Sequence, residues 1–292
     1  MVVDTSVFSN HMNKASTPKP APSPAEPQLR DTRDAFDSVA ADYDGPRGNN
    51  ELIQDMRGEM WQWLDATFPR GSRLIDLGCG TGLDAVRMAQ LGHFVTATDW
   101  SPRMVLRTSD RAEREHVTDR VQSVVVGAHE LQRLEATPEY DGAYSNLGPL
   151  NCVPDLAEVS RECARLLRPG GSLVFTVIGR FCPWEIAHYL RRRRWARVKV
   201  RFSRNVVPVG MNKHTIWTHY FSPSEFYRSF QQQFSLEHYR GLCVFAPPPY
   251  LTGVREKYPD RHAWLWRLDR RVSGWPVIRG MGDHFLIVMK KR

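Results

Sequence analysis

Residues 73–89 read RLIDLGCGTGLDAVRMA: an apolar run carrying Asp76, three glycines at alternate positions (Gly78, Gly80, Gly82), then an amphipathic stretch. No other part of the chain narrows the fold as much. The apolar run RLIDLG has the length of a buried strand, and LDAVRMAQLG (83–92) reads as a helix closed by Gly92. Glycine permits positive φ and close approach of a ligand to the backbone, and the helix behind offers unpaired N–H groups. A strand, a glycine turn and a helix in this order mark the carboxyl edge of an open α/β sheet, where nucleotide-like cofactors bind. The dinucleotide fingerprint GxGxxG needs glycine at position 83, where Leu83 stands. The spacing here is GxGxG, with an acid two residues before the first glycine.

The alternation continues beyond this motif. HFVTATD (93–99), VQSVVVG (121–127), YDGAYSNLG (140–148) and SLVFTVIG (172–179) read as strands. Between them, 101–115 and 154–167 read as helices, the first with Ser101 as N-cap and Pro102 at its first position. This rhythm predicts a parallel sheet with right-handed crossovers and helices on both faces. Helices are expected over 31–45, on the stripe Phe36, Val39, Ala40, Tyr43, and over 50–67, on Ile53, Met56, Met60, Trp61 and Leu64. After residue 183 the pattern loosens. A helix is expected over 183–194, strands over 197–202 and 214–221 with Gly210 and Asn212 near their turn, and a capped helix over 222–234. The last two strands fall at 235–245 and 283–291, with helical decoration at 246–282 between them.

At 292 residues the chain is long enough for one large α/β domain. Residues 1–30, rich in Pro, Ala and Ser, lack apolar anchors and read as a disordered tail, with Met12 as an alternative start to Met1. Residues 31–292 are expected to form a single domain. Five scattered cysteines without a CxxC pair argue against a disulfide framework or a zinc site, and no metal is expected. No apolar run approaches a bilayer span and no secretory layout opens the chain, so a cytoplasmic protein is expected. The net charge is +8, of which residues 185–204 supply +7 through eight Arg/Lys and one acid, Glu185. That basicity is local rather than the footprint of a nucleic-acid-binding face.

With these residues in view the chain resembles the class I S-adenosylmethionine-dependent methyltransferases. Their first motif, acid-x-Gly-x-Gly-x-Gly, is matched by Asp76, Gly78, Gly80 and Gly82, with Cys79 inside the loop. Asp99, ending the second strand, matches the acid that accepts hydrogen bonds from both ribose hydroxyls. Trp100 and Met104 then flank the adenine. After the third strand the family often carries an acid where this chain has Ala128, which leaves the adenine contact open among the Ala128 backbone, His129 and Glu130. Asn146 stands at the end of the fourth strand beside the transferred methyl, LLRPGGSLVF matches the turn into the fifth, and Tyr43 resembles a cofactor-covering tyrosine. The four motifs in order span about 32–180. The resemblance implies S-adenosylmethionine as cofactor. It also implies a three-layer, Rossmann-like, seven-stranded, mostly parallel sheet with its last strand antiparallel, plus an inserted helix/hairpin cap over 183–221.

The acceptor site in this family follows the fifth strand, where Trp184 is a candidate to stack a substrate and Glu185 to orient or deprotonate one. His129, His219 and Tyr220 complete the catalytic candidates, each with packing or capping as the plainer alternative. A small-molecule acceptor is expected because no separate macromolecule-binding domain exists, with O-methylation ahead of N-methylation. Alternatives are an RNA or protein methyltransferase using the run Arg191–Arg194, and a non-catalytic cofactor-binding homologue. The arginine run is read first as a solvated face, then as a contact for an anionic substrate or membrane surface, and last for nucleic acid.

Overall fold

The computed structural model describes residues 25–46, 48–137 and 139–292. The expected tail at 1–24 lies outside them. Residues 25–30, expected in that tail, instead open helix α1 (Ala25–Val39), because Thr32 and Ala35 are buried and fasten the helix to the body. Helix α2 (Glu51–Thr67) follows, with the Asn50 side chain accepting from the N–H groups of Leu52 and Ile53.

The central unit alternates β1 (Arg73–Leu77), α3 (Leu83–Gln90), β2 (Phe94–Asp99), α4 (Pro102–Arg114) and β3 (Val121–Val125). It continues with β4 (Tyr140–Ser145), α5 (Leu156–Leu166) and β5 (Leu167–Ile178). Ser101 caps α4 through Met104 N–H, with Pro102 in its first turn. The inserted segment holds α6 (Pro183–Arg191), α7 (Trp195–Val198) and the hairpin β6 (Val207–Met211) and β7 (His214–Thr218). Then come α8 (Pro223–Arg228), β8 (Phe234–Leu242), α9 (Thr252–Lys257), α10 (Pro259–Val272) and β9 (His284–Lys291).

Seven strands form one sheet in the order β3-β2-β1-β4-β5-β9-β8. Strands β1 to β5 pair in parallel, and β9 enters antiparallel between β5 and β8. The chain winds outward from β1 to β3 and then crosses back to β4 on the other side of β1. That reversal opens a crevice at the carboxyl ends of β1 and β4. Both faces of the sheet are covered, as alternation along β9 shows: Phe285, Ile287 and Met289 enter one core, Leu286 and Val288 the other. The first core stacks Phe175, Phe226, Phe230 and Phe234, and the second seats Met60, Leu64 and Phe68 on β1 and α3. Each such fully buried side chain contributes about 1.5–3 kcal/mol.

Two local expectations fail. Residues 197–202 alternate basic and apolar like a strand but form the end of α7 and a 3₁₀ turn over Val200–Phe202. Arg201 is the reason. Its guanidinium is drawn into the body by Glu185 and Asp283, and β7 pairs with 207–211 instead. The helix expected over 222–234 ends at Arg228: Ser222 and Glu225 do form a capping box, but the chain turns to bring Phe234 into β8.

Candidate functional site

The glycine loop leaves β1 and folds back over β2, with Gly78 and Cys79 N–H both donating to Thr98 O at 2.8 and 2.9 Å. Two of its glycines are obligatory for physical reasons. Gly78 (φ +79°) has no room for a side chain, since a Cβ would stand 2.3 Å from Pro149 Cβ. Gly82 (φ +80°) caps α3 in the left-handed region, with Thr108 Cγ2 2.8 Å from a hypothetical Cβ. Asp99, at the end of β2, accepts from Gly80 N–H at 2.9 Å and from Ser101 N–H at 2.8 Å. Burial pushes its carboxyl up to about 6, against these backbone bonds, which pull it down.

Loop, strand ends and cap enclose a cavity of about 340 Å³. One wall carries Gly78, Cys79, Gly80, Asp99, Trp100 and Met104, and continues through Ala128 and His129. His129 meets Trp100 edge-on with ring centroids 4.6 Å apart, and Arg33 of α1 lies over the same indole. Burial lowers the His129 pKa, so the imidazole is neutral at neutral pH. Tyr43 also reaches the cavity, and burial raises its phenol pKa.

The floor is a buried polar network of which the sequence pointed only to Asn146. Asp84 of α3 pairs with Arg57 of α2 and accepts from Trp61 Nε1 at 2.7 Å and Asn146 Nδ2 at 3.0 Å. Thr176 Oγ1 in turn donates to Asn146 Oδ1 at 2.8 Å. Arg57, Asp84 and Asn146 all face the cavity. Arg57 had left a signal: a cation within the apolar stripe of Ile53, Met56, Met60 and Leu64 needs a partner.

The opposite wall is mostly apolar. Leu147, Pro149, Val153 and Ile178 rise from the body, while Val209, Met211 and Ile216 come from the β6–β7 hairpin. Helix α1 lines part of it with Leu29 and Phe36 and clamps the hairpin, since Trp217 Nε1 donates to Asp31 at 2.9 Å. Tyr220 also lines this cavity; burial raises its phenol pKa, and Arg201 lies 5.2 Å from its ring centroid.

Several expected site residues stand elsewhere. Asp76 lies under the loop at 2% exposure, off the cavity wall, and one of its carboxylate oxygens has no partner among the described residues. Burial, followed by the nearby charge of Asp84, raises its pKa well above the usual carboxylate range. Gly82 shapes the loop without lining the cavity. Glu185 is consumed by Arg201 (2.8 Å) and Tyr250, and Trp184 Nε1 donates to Phe245 O at 2.9 Å. His219 stacks on Phe221 with ring centroids 4.2 Å apart, and its backbone N–H donates to Asn151 O at 2.7 Å. Neither Glu185 nor His219 reaches the cavity, because strand-end packing and the Arg201 ion pair claim them first. Among the described residues no three His, Cys, Asp or Glu side chains group to hold a metal, and no helix is long and apolar enough to cross a membrane.

Residues 74–171 match the family model of a methyltransferase domain. A ubiquinone biosynthesis O-methyltransferase of Xanthomonas oryzae pv. oryzae is 37% identical over 145 residues, 48% of this chain and 56% of that protein. A 27-O-demethylrifamycin SV methyltransferase of Amycolatopsis mediterranei is 41% identical over 104 residues, 35% of this chain and 37% of that one. The aligned part thus spans about half the length of the first of these relatives and less of the second. A Burkholderia thailandensis 1,6-didemethyltoxoflavin-N1-methyltransferase, solved with its acceptor and S-adenosylhomocysteine, shares the fold. Its TM-score is 0.55 at 16% identity, covering 97% of this chain and 98% of that one. Its glycine loop, its sheet order and the match over residues 74–171 make the chain similar to the class I S-adenosylmethionine-dependent methyltransferases, with a methyltransferase domain at its centre.

Proposed function

We propose that the chain transfers a methyl group from S-adenosylmethionine to a hydroxyl of a small, uncharged, largely apolar acceptor. The observation that carries this reading is one cavity with two chemically different walls. The donor wall suits the cofactor. Gly78 and Gly80 leave the backbone bare, and Asp99 offers a carboxylate that can accept from two adjacent hydroxyls. Trp100, Met104 and Ala128 provide flat apolar surface for a purine, with His129 at its edge, and the buried Trp100 Nε1 is still without an acceptor among the described residues. Arg57 is placed to meet an α-carboxylate. When bound, the cofactor supplies an electrophilic methyl on a sulfonium, so the hard part of the chemistry comes with it.

The protein's own task is alignment and the exclusion of water. Asn146, held by Asp84 and Thr176, stiffens the end of β4 where the two walls meet. The hairpin and α1 close over the acceptor side with apolar side chains, which disfavours a charged substrate. Tyr220, the titratable group of the acceptor wall nearest the hairpin, keeps its proton at neutral pH, and Asp84 is tied to Arg57. With no free base among the described residues of this wall, the acceptor's hydroxyl passes its proton to solvent as the methyl arrives, which favours a phenol or enol over a less acidic alcohol. The names of the two relatives, an O-methyltransferase and a methyltransferase of a 27-O-demethylated compound, point the same way.

The test is an assay with labelled methyl donor and a panel of phenols, enols, amines and RNA, with mass spectrometry of products. Methylated phenol or enol supports the reading. Product from amines or RNA alone overturns the acceptor class, and absence of S-adenosylmethionine binding by calorimetry overturns the whole.

A further inference from the structure

The inserted segment contains two kinds of arginine. Arg201 and neighbouring Arg180 are bound inward: Arg201 to Glu185 and Asp283, Arg180 to Glu225 and to the carbonyls of Phe202, Ser203 and Tyr220. Residues 191–197, Arg-Arg-Arg-Arg-Trp-Ala-Arg, are all exposed. Among the described residues, none of Arg191 to Arg194, Arg197 or Lys199 forms an ion pair. Glu185, the one acid of residues 185–204, is already spent on Arg201.

An ordinary solvated face would carry polar side chains between such charges. This one carries Leu190, Trp195, Phe202 and Val206, all exposed, Trp195 to 63%. Beside them α6 presents Trp184, Ala187, His188 and Arg191 to Tyr250 and Leu251 across an open, mostly apolar groove. Unpaired arginines interleaved with aromatic and aliphatic side chains match a layer of phosphates lying over hydrocarbon. Nucleic acid would satisfy the arginines and could stack on Trp195, but it leaves Leu190, Val206 and the groove in water.

We propose that α6, α7 and residues 202–206 form a docking surface for an anionic lipid bilayer. Arginines 191–194 and 197 meet the headgroup phosphates, and Trp195, Leu190 and Phe202 sit at the headgroup–acyl boundary. The same insertion supplies the β6–β7 wall of the cavity, so docking falls on the acceptor side of the molecule.

The experiment is co-sedimentation of the full chain with phosphatidylcholine vesicles, with and without added phosphatidylglycerol, at low and high salt. The expected result is binding to the anionic vesicles alone, weakened by salt. Combined Arg192→Ala, Arg193→Ala and Arg194→Ala should weaken it about fivefold per charge, on the order of 100-fold together, while cofactor binding by calorimetry stays as in the parent. If that variant fails to fold, Trp195 decides. Brominated acyl chains should quench the parent's fluorescence more than that of Trp195→Phe. Equal binding to neutral and anionic vesicles, undiminished binding of the triple variant, or no Trp195-dependent quenching overturns the proposal. So does tight binding of single-stranded RNA without vesicle binding.

Discussion

Replacing Asp99 with asparagine separates two effects that one carboxylate combines. In the unliganded protein the Asp99 carboxyl is pushed up to about 6 by burial, from an unfolded value near 4. Below pH ~4 both states are protonated. Between about 4 and 6 the folded state alone holds the proton, so stability declines as pH rises through this window. Above it the charge costs at most about 3 kcal/mol, an upper bound because the carboxylate faces the cavity rather than packed protein. The neutral amide of Asp99→Asn would remove that cost. It would also turn an amide N–H₂ toward Gly80 N–H or Ser101 N–H, both of which now donate to the carboxylate, at about 1–3 kcal/mol. The two changes roughly cancel, and the Asp99→Asn variant should unfold in urea near the parent's midpoint at pH 8. Cofactor affinity has no such offset. On the proposed ribose contact, the amide keeps one acceptor oxygen where the carboxylate has two and carries no charge, and losing charge-assisted bonds should cost about 2–3 kcal/mol, a roughly 30- to 150-fold rise in Kd. Titration calorimetry at pH 8 measures it, and the parent's own affinity should weaken as pH falls below about 6. An unchanged Kd would refute the ribose role. Loss of affinity together with collapse of the urea midpoint would refute the claimed offset.

Three further substitutions probe the rest. Gly82→Ala places a Cβ 3.0 Å from Thr108 Cα at φ +80°, and should lower both the melting temperature and cofactor affinity, the left-handed strain alone costing about 1–2 kcal/mol. If neither moves, the loop is not held as argued. Arg201→Met leaves the buried Asp283 and the half-buried Glu185 without their guanidinium and should cost about 3–5 kcal/mol at neutral pH by urea titration. Although burial would raise it, Arg201 and His284 hold the Asp283 carboxyl well below the usual carboxylate range. Its stabilisation is therefore present above pH ~4 and lost below, so the gap between parent and variant should narrow in acid; a gap that is constant with pH contradicts the pairing. His219→Ala should leave kcat within about threefold of the parent, since the ring stacks on Phe221 outside the cavity. A loss of several hundredfold would restore it as a catalytic group.

The glycine spacing, Asp99 at a strand end and the strand–helix rhythm from 73 to 178 are local signals, because backbone sterics and capping act over a few residues. They made the central sheet and the glycine-loop wall of the cavity legible in one dimension. Ser101, Pro102 and the Ser222–Glu225 box did the same for helix starts, as local hydrogen bonding must. What escaped is the work of long-range burial. Asp84, 27 positions beyond Arg57, became its partner only when α2 packed on α3. Arg201 turned an apparent strand into a buried ion pair with Asp283, 82 positions away. The same packing drew Glu185 and His219 off the acceptor wall and brought α1 and the hairpin together above it. Local chemistry in the sequence thus determined the sheet and the glycine loop. Tertiary structure alone decided which polar side chains face the cavity, since a buried charge goes wherever a distant partner can neutralise it.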